Sequence, residues 1–130
     1  MDIVKVLVVD DEQEICELTR SFLRKKDYCT FGANSKKEAI EIVIRDKPQI
    51  VLLDVRLGSE SGLDTLRQIK EINKDIKVIM VTALNDDESI AQAKALGADD
   101  YISKPFTANF LEGILLKKVV SLKLAEKEKD

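Results

Sequence analysis

The chain alternates between short apolar runs and longer stretches in which apolar residues recur every three or four positions. The apolar runs are IVKVLVV (3–9), YCTFGA (28–33), QIVLLD (49–54), KVIMVT (77–82) and DYIS (100–103). The first, third and fourth are nearly unbroken in Val, Ile and Leu, as in parallel strands buried on both faces. The second and fifth are shorter and more polar, which suits the edges of a sheet.

The intervening stretches have helical spacing. In 12–26, Ile15, Leu18, Thr19, Phe22 and Leu23 form one stripe. Ser35 followed by Glu38 is a capping-box pattern ahead of KKEAIEIVIRD, and Pro48 stops that helix. SGLDTLRQIKEI (61–72) and DDESIAQAKALG (86–97) predict two more helices, the second closing on Gly97. A last helix runs from Thr107 to about Glu126, and the charged tail AEKEKD is expected to fray. Strand–helix alternation with short connections predicts an α/β fold, a doubly wound five-stranded parallel sheet with helices on both faces. One domain spans 1–124, and 125–130 is a charged tail or the start of a linker.

Composition narrows the chemistry. The 130 residues suit a single core. A net charge of −3 argues against a nucleic-acid surface. There is no His, so the commonest general base and metal ligand is missing. Cys16 and Cys29 show no CxxC pairing and read as reduced, inert small hydrophobes of a cytoplasmic protein. No apolar stretch reaches membrane-spanning length, and no signal peptide is expected.

Ligands of open parallel sheets bind beyond the carboxyl ends of the strands. The first predicted strand ends in Asp10-Asp11, the third in Asp54, the fourth in Thr82 and the fifth in Lys104-Pro105. Clustered carboxylates without His make a hard oxygen site suited to Mg2+. Lys104 offsets part of their mutual repulsion. Glu12 reads as a first-turn helix acid rather than a ligand. With Asp54 as a carboxylate nucleophile, positive groups beside it and donors from Thr82 and backbone N–H groups, phosphoryl transfer is the matching reaction class.

VLVVDDE, VLLDVRLGSESGLD, VIMVTAL and GADDYISKPF, in this order and each ending a predicted strand, resemble the receiver domain of two-component response regulators. The likeness covers about Ile3 to Lys123. It implies a flavodoxin-like sheet of strand order 2-1-3-4-5. It also implies Asp54 as phosphoacceptor, with Mg2+ held by the side chains of Asp11 and Asp54, by Asp10 mainly through a bridging water, and by the backbone carbonyl of Arg56. Thr82, Ala83 and Lys104 would bind the phosphoryl group, Tyr101 would swing inward behind Thr82, and the Lys104–Pro105 bond would be cis. The donor would be a phosphohistidine on a sensor histidine kinase or phosphotransfer protein. The switch would control a partner or output domain through the face of the fourth helix, fifth strand and fifth helix.

Two departures stand out. Gly58 occupies a place where the family often has Pro, which implies a more mobile loop. Arg56 and Leu84 flank the site and are expected to hinder attacking water. On the last helix, Leu111, Leu115 and Val119 read as the inward stripe. Phe110 and Ile114, with Leu116, Val120, Leu122 and Leu124, add apolar surface suited to a partner or homodimer contact. No direct nucleic-acid binding is expected of this domain. Three rival readings are weaker. A haloacid-dehalogenase-type phosphatase needs a DxDx[TV] motif that DDEQE does not supply. A nucleotide or flavin domain lacks a GxGxxG or P-loop. A receiver-like interaction module that is never phosphorylated leaves the full set of acids, Thr and Lys without a task.

Overall fold

The computed structural model describes residues 3–83 and 85–129. The chain runs β1 (Lys5–Val9), α1 (Gln13–Lys25), β2 (Cys29–Ala33), α2 (Lys36–Asp46), β3 (Ile50–Asp54), β4 (Arg56–Leu57), β5 (Glu60–Ser61), α3 (Gly62–Ile72), β6 (Lys77–Thr82), α4 (Asp87–Ala95), β7 (Asp100–Ser103) and α5 (Ala108–Lys129). The five longer strands form one parallel sheet in the order β2-β1-β3-β6-β7. Counting those five alone, this is the expected 2-1-3-4-5, with the two polar strands at the edges.

Successive side chains of a strand point to opposite faces, and the apolar runs divide accordingly. Leu7, Val9, Val51, Leu53, Val78 and Met80 meet Ala39, Ile42 and Val43 of α2, Leu66 and Ile69 of α3, and Ala93 of α4. Val6, Val8, Ile50, Leu52, Ile79 and Val81 meet Cys16 and Leu23 of α1 and Leu111, Ile114, Leu115 and Val119 of α5. Unbroken apolar sequence in the central strands is therefore required, because both faces are covered.

Local signals are realised at the helix ends. Ser35 Oγ accepts from Glu38 N–H at 3.2 Å while Glu38 Oε1 accepts from Asn34 N–H at 3.3 Å. Ser61 and Asp86 cap α3 and α4 through Leu63 N–H and Ser89 N–H. Gly97 sits at φ +95°, a left-handed conformation that glycine adopts without strain.

Several expectations need correction. The buried side of α1 is Cys16 and Leu23, with Thr19 and Arg20 half-buried between them, whereas Ile15 and Leu18 are exposed. The helix is rotated so that the stem of Arg20 lies over Gly32, where a Cβ would come within 2.8 Å of Arg20 Cδ. Ile114, expected at an interface, is 7% exposed and packs in the core. It lies between Leu111 and Leu115 on the face turned to the sheet. Leu122 is half-buried against the same core, and Phe110, Leu116, Val120 and Leu124 are exposed. Cys16 is buried as expected, but Cys29 is exposed at the start of an edge strand. Helix α5 continues through the charged tail to Lys129. The short antiparallel pair β4–β5 carries no sequence signal beyond Gly58.

Leu66 has no exposed surface and stands at the centre of the α3 contact with the sheet. Leu66→Ala is expected to lower stability by about 2–5 kcal/mol, read as a reduced urea midpoint with the denaturant slope unchanged.

Candidate functional site

Parallel register brings the carboxyl ends of β1, β3, β6 and β7 to one rim. Val9 pairs with Leu53, Asp54 with Val81 and Thr82 with Ser103. The chain leaves the sheet at Asp10, Val55, Ala83 and Lys104. Backbone bonds carry the alignment past the strands: Val55 N–H to Val81 O at 2.9 Å and Lys104 N–H to Thr82 O at 2.8 Å. Asp10 is fixed from two sides, its N–H donating to Ala33 O at 3.1 Å and its carbonyl accepting from Asn34 Nδ2 at 2.9 Å.

An open cleft of about 590 Å3 lies over this rim, lined by Asp11, Glu12, Asp54, Val55, Arg56, Ala83, Asp86, Lys104 and Pro105. Lys104 Nζ donates to Asp54 Oδ2 at 2.8 Å and lies 3.6 Å from Asp10 Oδ2. Arg56 N–H donates to the other Asp54 oxygen at 3.2 Å, and Glu12 N–H donates to Asp10 Oδ1 at 2.9 Å. Carboxylate oxygens of Asp10, Asp11 and Glu12 lie within 4.8 Å of one another. Glu12 is thus closer to the acid cluster than its reading as a helix acid implied. It occupies the N-cap position of α1, with no side-chain cap bond. The Lys104–Pro105 bond is cis, as the resemblance implied.

The electrostatics are unbalanced without a further cation. Burial, the largest influence on Asp10, pushes its carboxyl above the usual carboxylate value. The Glu12 N–H and Lys104 pull it down, while Asp54 and Asp11 push it up. For Lys104, burial is the largest single influence and acts to lower the pKa. The hydrogen bond and charge of Asp54, with Asp10 and Glu12, outweigh it and hold the ammonium above its usual value. One ammonium against the buried Asp10 and Asp54, with Asp11 and Glu12 exposed beside them, leaves a negative excess at the rim. Hard, closely set oxygen donors of that charge fit a small divalent cation such as Mg2+.

Thr82 lies beneath the rim. Its hydroxyl is buried and has no hydrogen-bond partner among the described residues. Tyr101 is not at the site: its ring is on the surface, with Lys94 Nζ 5.0 Å from its centroid. Leu84 lies outside the described residues, and Arg56 is exposed beside the cleft.

Asn34 and Gly62 have no place in the sequence reading, and Gly58 figures there only as a source of loop mobility. A Cβ on Gly62 would sit 1.9 Å from Asp54 O, and Gly62 N–H donates to Val55 O at 2.6 Å. The signal was a glycine opening a helix whose N-cap, Ser61, was already present. Gly62→Ala is expected to displace the β3 end and cost about 1–3 kcal/mol in a denaturant titration. Asp10→Asn keeps the oxygen that accepts from Glu12 N–H but removes the penalised charge. A carboxyl with a raised pKa binds its proton more tightly folded than unfolded. Its ionisation therefore opposes folding, and stability falls as pH rises from the unfolded pKa to the folded one. The Asn variant, in EDTA at neutral pH, is expected to melt at higher temperature than the wild type and to lose that slope.

The family model for the response regulator receiver domain matches residues 6–115. Sporulation initiation phosphotransferase F of Bacillus subtilis (strain 168) is 34% identical over 119 residues, which is 92% of this chain and 95% of that protein. A response regulator receiver domain protein from Clostridium thermocellum is 30% identical with a TM-score of 0.89, covering 95% of this chain and 99% of that one. NtrX from Brucella abortus is 29% identical with a TM-score of 0.93, covering 99% of this chain but 29% of NtrX. Matched along nearly its whole length in sequence and in fold, the chain belongs to the response regulator receiver domains of two-component systems.

Proposed function

We propose that this receiver domain is a phosphorylation-dependent switch in the cytoplasm, with Asp54 as phosphoacceptor. The observation that carries the reading is Lys104, whose ammonium reaches both Asp54 and Asp10 across the rim. An Asp54 oxygen attacks the phosphorus of a phosphohistidine on a sensor histidine kinase or phosphotransfer protein. The P–O bond forms as the P–N bond breaks, and the electron pair leaves with the partner's imidazole. The imidazole absent from this chain is thus supplied by the donor. Water later cleaves the acyl phosphate, returning the carboxylate and inorganic phosphate.

Asp10, Asp11, Asp54 and the Arg56 carbonyl would hold Mg2+, which when bound neutralises charge on the phosphoryl oxygens. Lys104 supplies a second positive charge, and the Ala83 N–H and Thr82 hydroxyl supply donors. The buried, unpartnered Thr82 hydroxyl supports that role, since a buried polar group without a partner is costly until one arrives. Phosphorylation adds roughly −1.5 to −2 charge at Asp54, and new bonds to Thr82 and Lys104 favour one of two conformations. Tyr101 relays the change to the face of α4, β7 and α5, where Phe110, Pro105 and Phe106 line a surface cleft with it. That face is the proposed contact for a partner or a second copy.

Incubation with acetyl phosphate and Mg2+ is expected to add a single phosphoryl group by intact mass, with acetate as leaving group. The adduct should vanish in Asp54→Ala and in EDTA. Wild type that stays unmodified would count against the switch and favour an interaction module.

A further inference from the structure

We infer that the β4–β5 hairpin is a positioning element for the metal site, with the Gly58 N–H as the group that fixes Asp11. The inference rests on the proposed role of Asp11 as a Mg2+ ligand. Asp11 lies on the exposed loop after β1. Among the described residues, the hydrogen bond to its carboxylate comes from Gly58 N–H, 3.0 Å from Oδ2. A bond from a neutral N–H to a carboxylate is charge-assisted and stronger than a neutral pair. It ties down one oxygen of an exposed side chain.

The hairpin makes that donor available. Arg56 pairs with Ser61 and Leu57 with Glu60, leaving Gly58 and Ser59 as a two-residue turn. Gly58 is at φ +61° and Ser59 is not in the positive region, the pattern of a type II′ turn with glycine in first place. A Cβ at Gly58 would meet nothing within 4 Å, so space does not demand glycine there. The backbone conformation does. The hairpin is itself anchored twice more. Leu57 is buried in the core, and Glu60 Oε1 accepts from Lys36 N–H at 3.2 Å at the start of α2. Loops after β1 and β3 are thereby joined directly across the candidate metal site.

Two substitutions bracket the turn and its donor together: one keeps both and the other removes both. Asn tolerates positive φ and keeps the N–H. Proline, frequent at this place in the family, can adopt neither this φ nor this bond, so a loop that carries it must be held in another way. Partners that orient metal ligands typically change metal affinity by 10–100-fold when lost. Titration of backbone amides with MgCl2 by NMR is therefore expected to show Gly58→Pro weakened by about 10–100-fold. Gly58→Asn should stay near wild type. Equal affinity of wild type and Gly58→Pro would overturn the inference, as would an equal loss in Gly58→Asn. Should Gly58→Pro fail to fold, Asp11→Ala is read at the Gly58 amide proton. An upfield shift supports the bond, and an unmoved resonance refutes it. No Mg2+ response in the wild type would overturn the metal reading itself, which the Gly58 comparison alone would not.

Discussion

The structure depends on covering a parallel sheet on both faces. Because β1, β3 and β6 have helices above and below, their side chains between the strand ends are confined to Val, Ile, Leu and Met. Polar chemistry is then excluded from the body of the sheet and collects where the strands end. Parallel strands place those ends on one rim, so Asp10, Asp54, Thr82 and Lys104 meet although they are spread over most of the chain. The same burial that stabilises the fold desolvates the acids. Lys104 therefore reads as a partial counter-charge built into the strand ends, satisfying Asp54 directly and Asp10 at longer range.

That arrangement trades rest against readiness. A site with its full complement of positive charge would be stable but would have little to gain from a cation or a phosphoryl group. Here the negative excess and the unpartnered Thr82 hydroxyl are both left over in the resting chain. Each is a deficit that binding can relieve, and a ligand moves an equilibrium only by such differences.

Much of this was legible in the sequence because it follows from side chains. Alternation of apolar runs and helical spacing marked all five long strands, and the residues ending the first, third, fourth and fifth of them marked the rim. What side chains do not reveal acts through the backbone. Gly62 matters because its missing Cβ leaves room for Asp54 O, Gly58 because of its φ and its N–H, and Asn34 because it reaches a carbonyl. Helix α1 departs from its apolar stripe for a related reason: Leu23, Phe22 and Thr19 turn inward, but the aliphatic stem of Arg20 covers Gly32 and Ile15 and Leu18 are left outside. Ile114 falls in the core rather than at an interface because α5 carries apolar residues on more than one side, and only its register against the sheet separates core from surface.

The contact between Lys94 and Tyr101 bears on how quiet this surface is at rest. An ammonium over an exposed ring contributes about 0.5–1 kcal/mol, a bias of roughly two- to fivefold in population. A hold of that size is a preference rather than a lock. If the ring reports the state of the site, the resting protein is a leaky reporter. The lysine that holds the ring is then one contributor to that background.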